Sequence, residues 1–183
     1  MLIYWCNEAG APYGREVPGD LPFDAIAEAR RQWTAHDLPE PLAMAAATSV
    51  MRAQQIVSTA VDRALRPFGL TFARYEVLML LCFARDGALP ITRVGERLMV
   101  HPTGITKLVD KLEEHGLVRR EANPSDRRGT LACVTPAGRD LAQEASRAVT
   151  SVRFGADLGD EDLEQLVALV RRMRVRTGEL PDD

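Results

Sequence analysis

The stretch His101–Gly138 reads HPTGITKLVDKLEEHGLVRREANPSDRRGTLACVTPAG, and it decides the fold. Its first part predicts a helix over Pro102–His115, because proline suits the first helical position, where a backbone N–H would have no partner in any case. Gly116 then supplies the left-handed residue that commonly ends a helix. The inner face of this helix is apolar at helical spacing. The apolar positions are Ile105, Leu108, Val109 and Leu112.

The residues after Gly116 predict a β-hairpin. Residues 117–121 alternate like a strand, the turn NPSDRRG follows, and 130–134 return as a second strand. The backbone conformation of such a turn favours Asn, Pro, Ser, Asp and Gly, but it gives no reason for two adjacent arginines. The tip of this hairpin therefore either helps solubility only or contacts an anionic partner.

A helix-turn-helix is predicted just before the hairpin. A short helix over 92–99 is followed by the break Val100-His101 and then by the helix that begins at Pro102, and a tight turn between two helices defines this motif. A hairpin directly after the second helix makes it a winged helix. Further helices are predicted over 23–36, 42–66, 71–85, 136–152 and 160–176. The expected fold class is therefore mainly α with a small β-hairpin wing.

The charges are distributed unevenly along the 183 residues, whose net charge is −3. Residues 1–40 carry three basic and seven acidic side chains and 157–183 carry four and eight, whereas 92–130 carry eight basic and six acidic. A local basic segment attracts a polyanion even when the whole chain is acidic. No apolar run approaches the roughly 20 residues of a membrane helix, and the N-terminus lacks the basic lead of a secretory signal. We therefore expect a cytoplasmic protein with no membrane partner.

Metal, cofactor and catalytic motifs are not apparent. The three cysteines and three histidines show no metal-like spacing, and the chain contains no dinucleotide-binding, P-loop or zinc-protease motif. We expect no metal, no cofactor and no enzymatic activity. Cys82 and Cys133 are expected as small core residues, and Cys6 remains either an ordinary residue or a redox sensor.

The outward face of the helix over Pro102–His115 carries small polar and basic side chains. Threonine hydroxyls hydrogen-bond to base edges, and lysines reach guanine or phosphate. A helix N-terminus also favours phosphate. The same residue types are common on solvated helix faces, so the pattern leaves both interpretations open. The residues on this face are Thr103, Thr106, Lys107, Asp110 and Lys111.

Residues 71–138 resemble the winged-helix domain of the MarR family of bacterial transcriptional regulators. The resemblance is carried by HPTGITKLVDKLEEHGLVRR and by NPSDRRGTLACVTPAG, whose Asp two positions before an Arg, followed by a strand and T-x-x-G, matches the wing signature of the family. More loosely, it extends over 42–176. It implies a homodimer with interlocking terminal helices that binds a pseudo-palindromic double-stranded DNA operator, with repression as the family default.

The resemblance also implies which residues contact DNA. The second helix of the motif would enter the major groove, with the two copies about 34–36 Å apart. Arg128 would enter the minor groove, where arginine is attracted by the negative potential. Asp126 would orient Arg128, and Arg127 would contact the DNA backbone. The full expected set is His101, Pro102, Thr103, Thr106, Lys107, Lys111, Asp126, Arg127 and Arg128.

Many members of the family release DNA when a small aromatic or anionic effector binds. Aromatic or methionine stripes at helical spacing are also typical of a core, so each candidate has a structural alternative. A helix containing Trp33 is similar to one in a purine-responsive branch of the family, but Glu76 and Leu108 depart from that branch. The peroxide-sensing branch needs a cysteine near the start of the first long helix, and 38–66 contain none. The candidate effector residues are Trp33, Phe68, Phe72, Arg74, Tyr75 and Met79.

The expected organisation has five parts. A loose arm over 1–20 precedes an additional helix over 21–37, dimerisation helices lie within 38–70 and 136–176, the winged helix-turn-helix spans 71–135, and an acidic tail covers 177–183. The alternative to a DNA-binding regulator is a winged helix that contacts only another protein.

Overall fold

The computed structural model describes residues 23–126 and 129–181. The predicted arm over 1–20, Cys6 and both wing-tip arginines, Arg127 and Arg128, lie outside the described residues. The chain divides into two compact units, Met1–Thr59 and Ala60–Asp183. Within the described residues, no helix combines the length and the apolarity that crossing a membrane requires.

The first unit contains α1 (Ala25–Ala35) and most of α2 (Pro41–Leu65). Asp24 is the N-cap of α1, and its Oδ1 accepts hydrogen bonds from the N–H groups of Ile26 at 2.9 Å and Ala27 at 3.1 Å. Such an N-cap satisfies donors that have no partner inside the helix. The two predicted helices are confirmed with boundary shifts of one or two residues.

The second unit contains the end of α2 and all later elements. A 3₁₀ turn over Arg66–Phe68 follows α2, and a second one over Arg153–Gly155 precedes the last helix. The elements are α3 (Phe72–Phe83), β1 (Ala88–Pro90), α4 (Ile91–Leu98), α5 (Pro102–Glu114), β2 (Val118–Ala122), β3 (Thr130–Val134), α6 (Pro136–Ser151) and α7 (Asp160–Arg176).

The predicted hairpin is part of a three-stranded antiparallel sheet with the order β1-β3-β2. Strand β3 pairs with β2 through Arg120↔Ala132 and with β1 through Ala88↔Cys133. Strand β1 has three residues and ends in Pro90, and proline without an N–H is compatible with an edge strand. The mainly helical fold with a small wing is therefore as expected. Strand β1 joins the hairpin and begins one residue before the short strand that the sequence predicts over 89–91.

The core of the second unit lies under α5 and between α3, α6 and the sheet. The inner face of α5 is buried as predicted at Ile105, Val109 and Leu112, and it packs with Leu78 and Val118. Cys133 is buried and Cys82 partly buried, as small core residues would be. Burial raises the pKa of both thiols, which disfavours the reactive thiolate.

Thr135 and Gly138 join the start of α6 to the end of α5. The Oγ1 of Thr135 accepts from the N–H of Gly138 at 3.0 Å and donates to the carbonyl of Gly116 at 2.7 Å. A Cβ on Gly138 would lie 2.0 Å from the carbonyl oxygen of Leu117. The threonine and glycine of the T-x-x-G sequence are therefore required by a close approach of two backbones, which fixes the wing against α6.

Candidate nucleic-acid interface

The turn between α4 and α5 is a tight backbone reversal. Met99 adopts a left-handed conformation with φ 54°, and the N–H of Val100 donates to the carbonyl of Gly95 at 3.0 Å. A Cβ on Gly95 would lie 3.2 Å from the Val100 carbonyl oxygen and 3.4 Å from the Cγ2 of Ile105. Gly95 thus lets the two helices pack closely, and sequence reasoning missed it, although a glycine inside a short helix pattern is a signal of close packing.

His101 and Pro102 begin helix α5. The Nδ1 of His101 accepts from the N–H of Thr103 at 3.4 Å, and the carbonyl of His101 accepts from the N–H groups of Gly104 and Ile105 at 2.8 and 3.1 Å. Pro102 occupies the first helical position, as predicted. Both residues therefore help to start the helix. Nothing in this geometry tests whether they contact DNA, so that contact stays a prediction.

The structure brings four of the predicted residues together on the exposed side of α5. We call this surface, formed by Thr103, Thr106, Lys107 and Lys111, the polar face of α5. The hydroxyl of Thr106 donates to the Pro102 carbonyl at 3.1 Å, and the ammonium of Lys111 lies 2.6 Å from the Glu114 carboxylate. Among the described residues, nothing forms a hydrogen bond or ion pair with the ammonium of Lys107. Lys107 is therefore the cation of this face that is most available to a ligand.

Asp110 is not part of the polar face, because it is only partly exposed and its carboxylate is paired with the wing. Its Oδ1 lies 2.6 Å from Nη2 of Arg120 on β2, and Nη1 of the same guanidinium lies 2.5 Å from Oε2 of Glu113. Partial burial of the guanidinium opposes its charge, but hydrogen bonds and the charges of the two carboxylates raise the pKa of Arg120 overall. Sequence reasoning missed this pairing. Its only signal was an arginine on the first wing strand, seven and ten positions after the two acids.

The wing turn is closed by backbone and side-chain hydrogen bonds. The N–H of Asp126 donates to the Asn123 carbonyl at 3.2 Å, and the N–H of Gly129 donates to the Asp126 carbonyl at 2.9 Å. The side chain of Asn123 accepts from the N–H of Ser125 at 3.0 Å, which is a common turn interaction. Asp126 therefore lies in the closed turn, and the predicted roles of Arg127 and Arg128 stay predictions.

Most of the polar atoms of the predicted effector residues have partners within the chain. The hydroxyl of Tyr75 lies 3.0 Å from the Oγ of Ser146, which also contacts the sulfur of Met79 at 3.1 Å. The guanidinium of Arg74 donates to the Oγ1 of Thr71 and to the Gly69 carbonyl, both at 3.3 Å. These contacts favour structural roles for Tyr75, Met79 and Arg74.

The aromatic candidates divide between the two units. In the second unit, Phe68 packs against the core, and Phe72 lies with its ring centroid 6.2 Å from that of Tyr75. In the first unit, the indole N–H of Trp33 donates to the carbonyl of Pro39 at 2.8 Å. Trp33 thus stabilises the turn that follows α1. Its contact with an effector stays a prediction.

Comparison with known proteins points to one family. The sequence model of the MarR family matches residues 68–129. The chain is 45% identical to Sco5413 of Streptomyces coelicolor, a MarR family transcriptional regulator, over 76% of this chain and 98% of that one, with a TM-score of 0.69.

Two further solved structures show bound molecules in similar proteins. Sco3205 of S. coelicolor, a MarR family regulator in complex with DNA, is 27% identical over 74% of this chain and 89% of that one, with a TM-score of 0.67. CouR of Rhodococcus jostii RHA1, bound to p-coumaroyl-CoA, is 33% identical over 68% of this chain and 87% of that one, with a TM-score of 0.59.

Proposed function

The chain belongs to the MarR family of DNA-binding transcriptional regulators, and from this premise we propose that it acts as a homodimeric repressor. It binds a pseudo-palindromic double-stranded operator and is released from it by a small aromatic or anionic effector. Its place is the bacterial cytoplasm, where the chromosome is accessible. Sco5413 and Sco3205 are described as transcriptional regulators, and the proposed role of this chain is likewise regulatory.

The polar face of α5 is the single observation that carries the DNA-binding site. Its two threonines and two lysines stand on one side of a helix whose opposite side is buried. In a winged helix, the second helix of the helix-turn-helix contacts bases in the major groove. Helix α5 is that helix, so we call it the recognition helix. His101 and Pro102 at its start, together with Asp126, Arg127 and Arg128 of the wing, complete the proposed contact set. The DNA complex of the similar Sco3205 supports DNA binding by a protein of this fold.

Exposed apolar side chains on α7 support a dimer. None of the residues of α7 is buried within the chain. Its apolar side chains are exposed as well, since Val167 is 68% exposed and Met173 is 55% exposed. Leu166, Leu169 and Val170 are exposed beside them. Soluble proteins rarely leave so many large apolar side chains of one helix in water unless another protein surface covers them. A second copy of the chain is the occupant that the family predicts.

The chemistry of the effector is supported by one similar protein. CouR is bound to p-coumaroyl-CoA, a molecule that contains both an aromatic ring and anionic phosphates. The proposed contacts in the second unit are Phe68, Phe72, Arg74, Tyr75 and Met79, of which the last two and Arg74 also have the structural contacts described above. Trp33 of the first unit is a separate candidate. A thermal-shift screen of aromatic acids, acyl-CoA thioesters and purines tests this part, since a ligand that binds only the folded chain raises the melting temperature. No shift with any of these classes at millimolar concentration would refute it.

Selection of duplexes from a random pool tests the DNA-binding proposal. We expect the chain to enrich sequences with two inverted half-sites whose centres lie one helical turn, about 10 base pairs, apart. Failure to enrich any sequence, together with no binding to random duplex at low salt, would instead support a winged helix that contacts only protein. A reporter gene placed behind the selected duplex then distinguishes repression from activation.

A further inference from the structure

Arg120 joins the recognition helix to the wing. Besides its ion pairs with Asp110 and Glu113, the guanidinium Nη2 donates to the carbonyl oxygen of Thr106 at 3.4 Å. These three residues lie on successive turns along one flank of α5. A single side chain of β2 therefore engages most of the length of the helix.

Glu113 also holds the backbone of β2. Its Oε1 accepts from the backbone N–H of Arg120 at 2.9 Å, while its Oε2 accepts from the guanidinium. Strand β2 lies at one edge of the sheet, where backbone groups need partners other than a neighbouring strand. The carboxylate thus fixes both the main chain and the side chain of one residue, which leaves little freedom for β2 to shift along α5.

The same contacts change the charge that DNA would meet. Asp110 and Glu113 are 46% and 39% exposed on the helix proposed to enter the major groove, and unpaired carboxylates there would repel phosphates. The side chain of Arg120 is only 26% exposed, because it lies between the wing and the helix. Its charge is directed to the two carboxylates, and a phosphate has less access to it.

We propose that Arg120 is a positioning residue for DNA binding, which fixes the wing against the recognition helix and neutralises Asp110 and Glu113 without contacting DNA itself. The proposal rests on the proposed DNA-binding function. It predicts that Arg120 acts chiefly through its two carboxylate partners.

Arg120→Gln tests the proposal by fluorescence anisotropy on a duplex selected by the wild-type chain. Networks of this kind couple by about a tenfold change in an equilibrium constant, so we expect about tenfold weaker binding. The slope of log affinity against log salt should fall by clearly less than the change of about one that loss of a direct phosphate contact produces. A slope reduced by about one or more would overturn the proposal.

Arg119→Gln is the matched control. It removes the same charge from the neighbouring residue of β2, where Arg119 pairs with Glu121 of the same strand and not with α5. We expect its affinity to stay within about twofold of the wild type. An equal loss in both variants would show a general charge effect and refute the positioning role.

A double-mutant cycle provides the decisive comparison. In a chain carrying Asp110→Asn and Glu113→Gln, adding Arg120→Gln should change affinity by less than about threefold, because the partners of Arg120 are already altered. A tenfold loss in both backgrounds would overturn the proposal.

The milder variant Arg120→Lys covers the case in which Arg120→Gln fails to fold. A single ammonium lacks the planar fork that reaches both carboxylates, so we expect weaker binding with an unchanged salt slope. Wild-type affinity in Arg120→Lys would count against the inference alone. Failure of the wild-type chain to bind any duplex would count against the DNA-binding function itself.

Discussion

Lys107 and Lys111 lie one turn apart on the polar face of α5 and differ in their surroundings. Lys111 pairs with Glu114 at 2.6 Å, whereas nothing among the described residues engages the ammonium of Lys107. Lys107→Ala should therefore cost about 1–3 kcal/mol of binding free energy and change the preferred base at one position. Lys111→Ala should weaken all sequences nearly equally and by less.

Anisotropy on the selected duplex and on single-base variants of it distinguishes the two lysines. Ser125→Ala, a polar change outside the polar face of α5, serves as the control. An unchanged base preference in Lys107→Ala would remove Lys107 from the base-reading set.

Glu76 predicts a pH dependence of stability. Burial raises the pKa of its carboxyl above the ordinary value. A carboxyl with a higher pKa in the folded state stabilises the fold while it is protonated, and this contribution is lost as the pH rises through the folded pKa. The difference in unfolding free energy between Glu76→Gln and the wild type should therefore grow in favour of the variant from about pH 4 to about pH 7.

Urea denaturation at several pH values measures this difference. Glu144→Gln, on an exposed position of α6, controls for the loss of one negative charge. A difference that stays constant across the pH range would contradict the effect of burial at Glu76.

At the scale of the elements, the join between α5 and α6 depends on one glycine. A Cβ on Gly138 would lie 2.0 Å from the backbone oxygen and 2.9 Å from the carbonyl carbon of Leu117, so Gly138→Ala forces two backbones apart. We expect a loss of about 3 kcal/mol in the free energy of unfolding, the upper part of the range for such overpacking. Gly159→Ala is the control, because the nearest atom to its Cβ is a flexible carboxylate oxygen at 3.9 Å.

Chemical denaturation of the two glycine variants checks this prediction. Near-wild-type stability in Gly138→Ala would mean that the start of α6 can move away from Leu117 at little cost. The close approach would then not explain the glycine of the T-x-x-G sequence.

Helices and wing could be predicted because their signals are local. Pro102 and Gly116 mark the ends of α5, the apolar spacing marks its buried face, and turn residues mark the wing. The ion pairs of Arg120 could not be predicted, since they depend on which face of β2 meets α5. The sequence alone placed Asp110 on the outward face of the helix without a partner, although its carboxylate is engaged by Arg120.

The roles of the candidate effector residues could not be predicted from the sequence either. An aromatic or methionine stripe has the same spacing whether it lines a pocket or fills a core. Tyr75 is 5% exposed and shares a hydrogen bond with Ser146, a partner on another helix that no local pattern identifies. Trp33 likewise finds its partner in the carbonyl of Pro39. Whether such a side chain fills a core or is available to a ligand therefore depends on partners that lie elsewhere in the fold.

At the scale of the whole molecule, the exposed side of α7 predicts the oligomeric state. Val167→Glu places a charge where a partner's apolar surface would pack, so the dimer should dissociate by at least about tenfold more readily. The fold of one chain should change little, because Val167 is 68% exposed within it. Gln165→Glu adds the same charge at a polar position of the same helix and serves as the control.

Sedimentation equilibrium of these variants tests the dimer. The wild type and Gln165→Glu should both have twice the mass of one chain, and Val167→Glu should shift towards the single chain at low concentration. A wild-type chain that remains monomeric at micromolar concentration would refute the dimer.

The affinity of the wild-type chain for its selected duplex, measured by anisotropy across a salt titration, tests the central claim most directly. If the recognition helix and wing bind DNA through phosphates as well as bases, log affinity falls linearly with log salt, by about a thousandfold or more between roughly 50 and 200 mM. Absence of binding at 50 mM, or binding that does not change with salt, would contradict the claim that this winged helix is a DNA-binding surface.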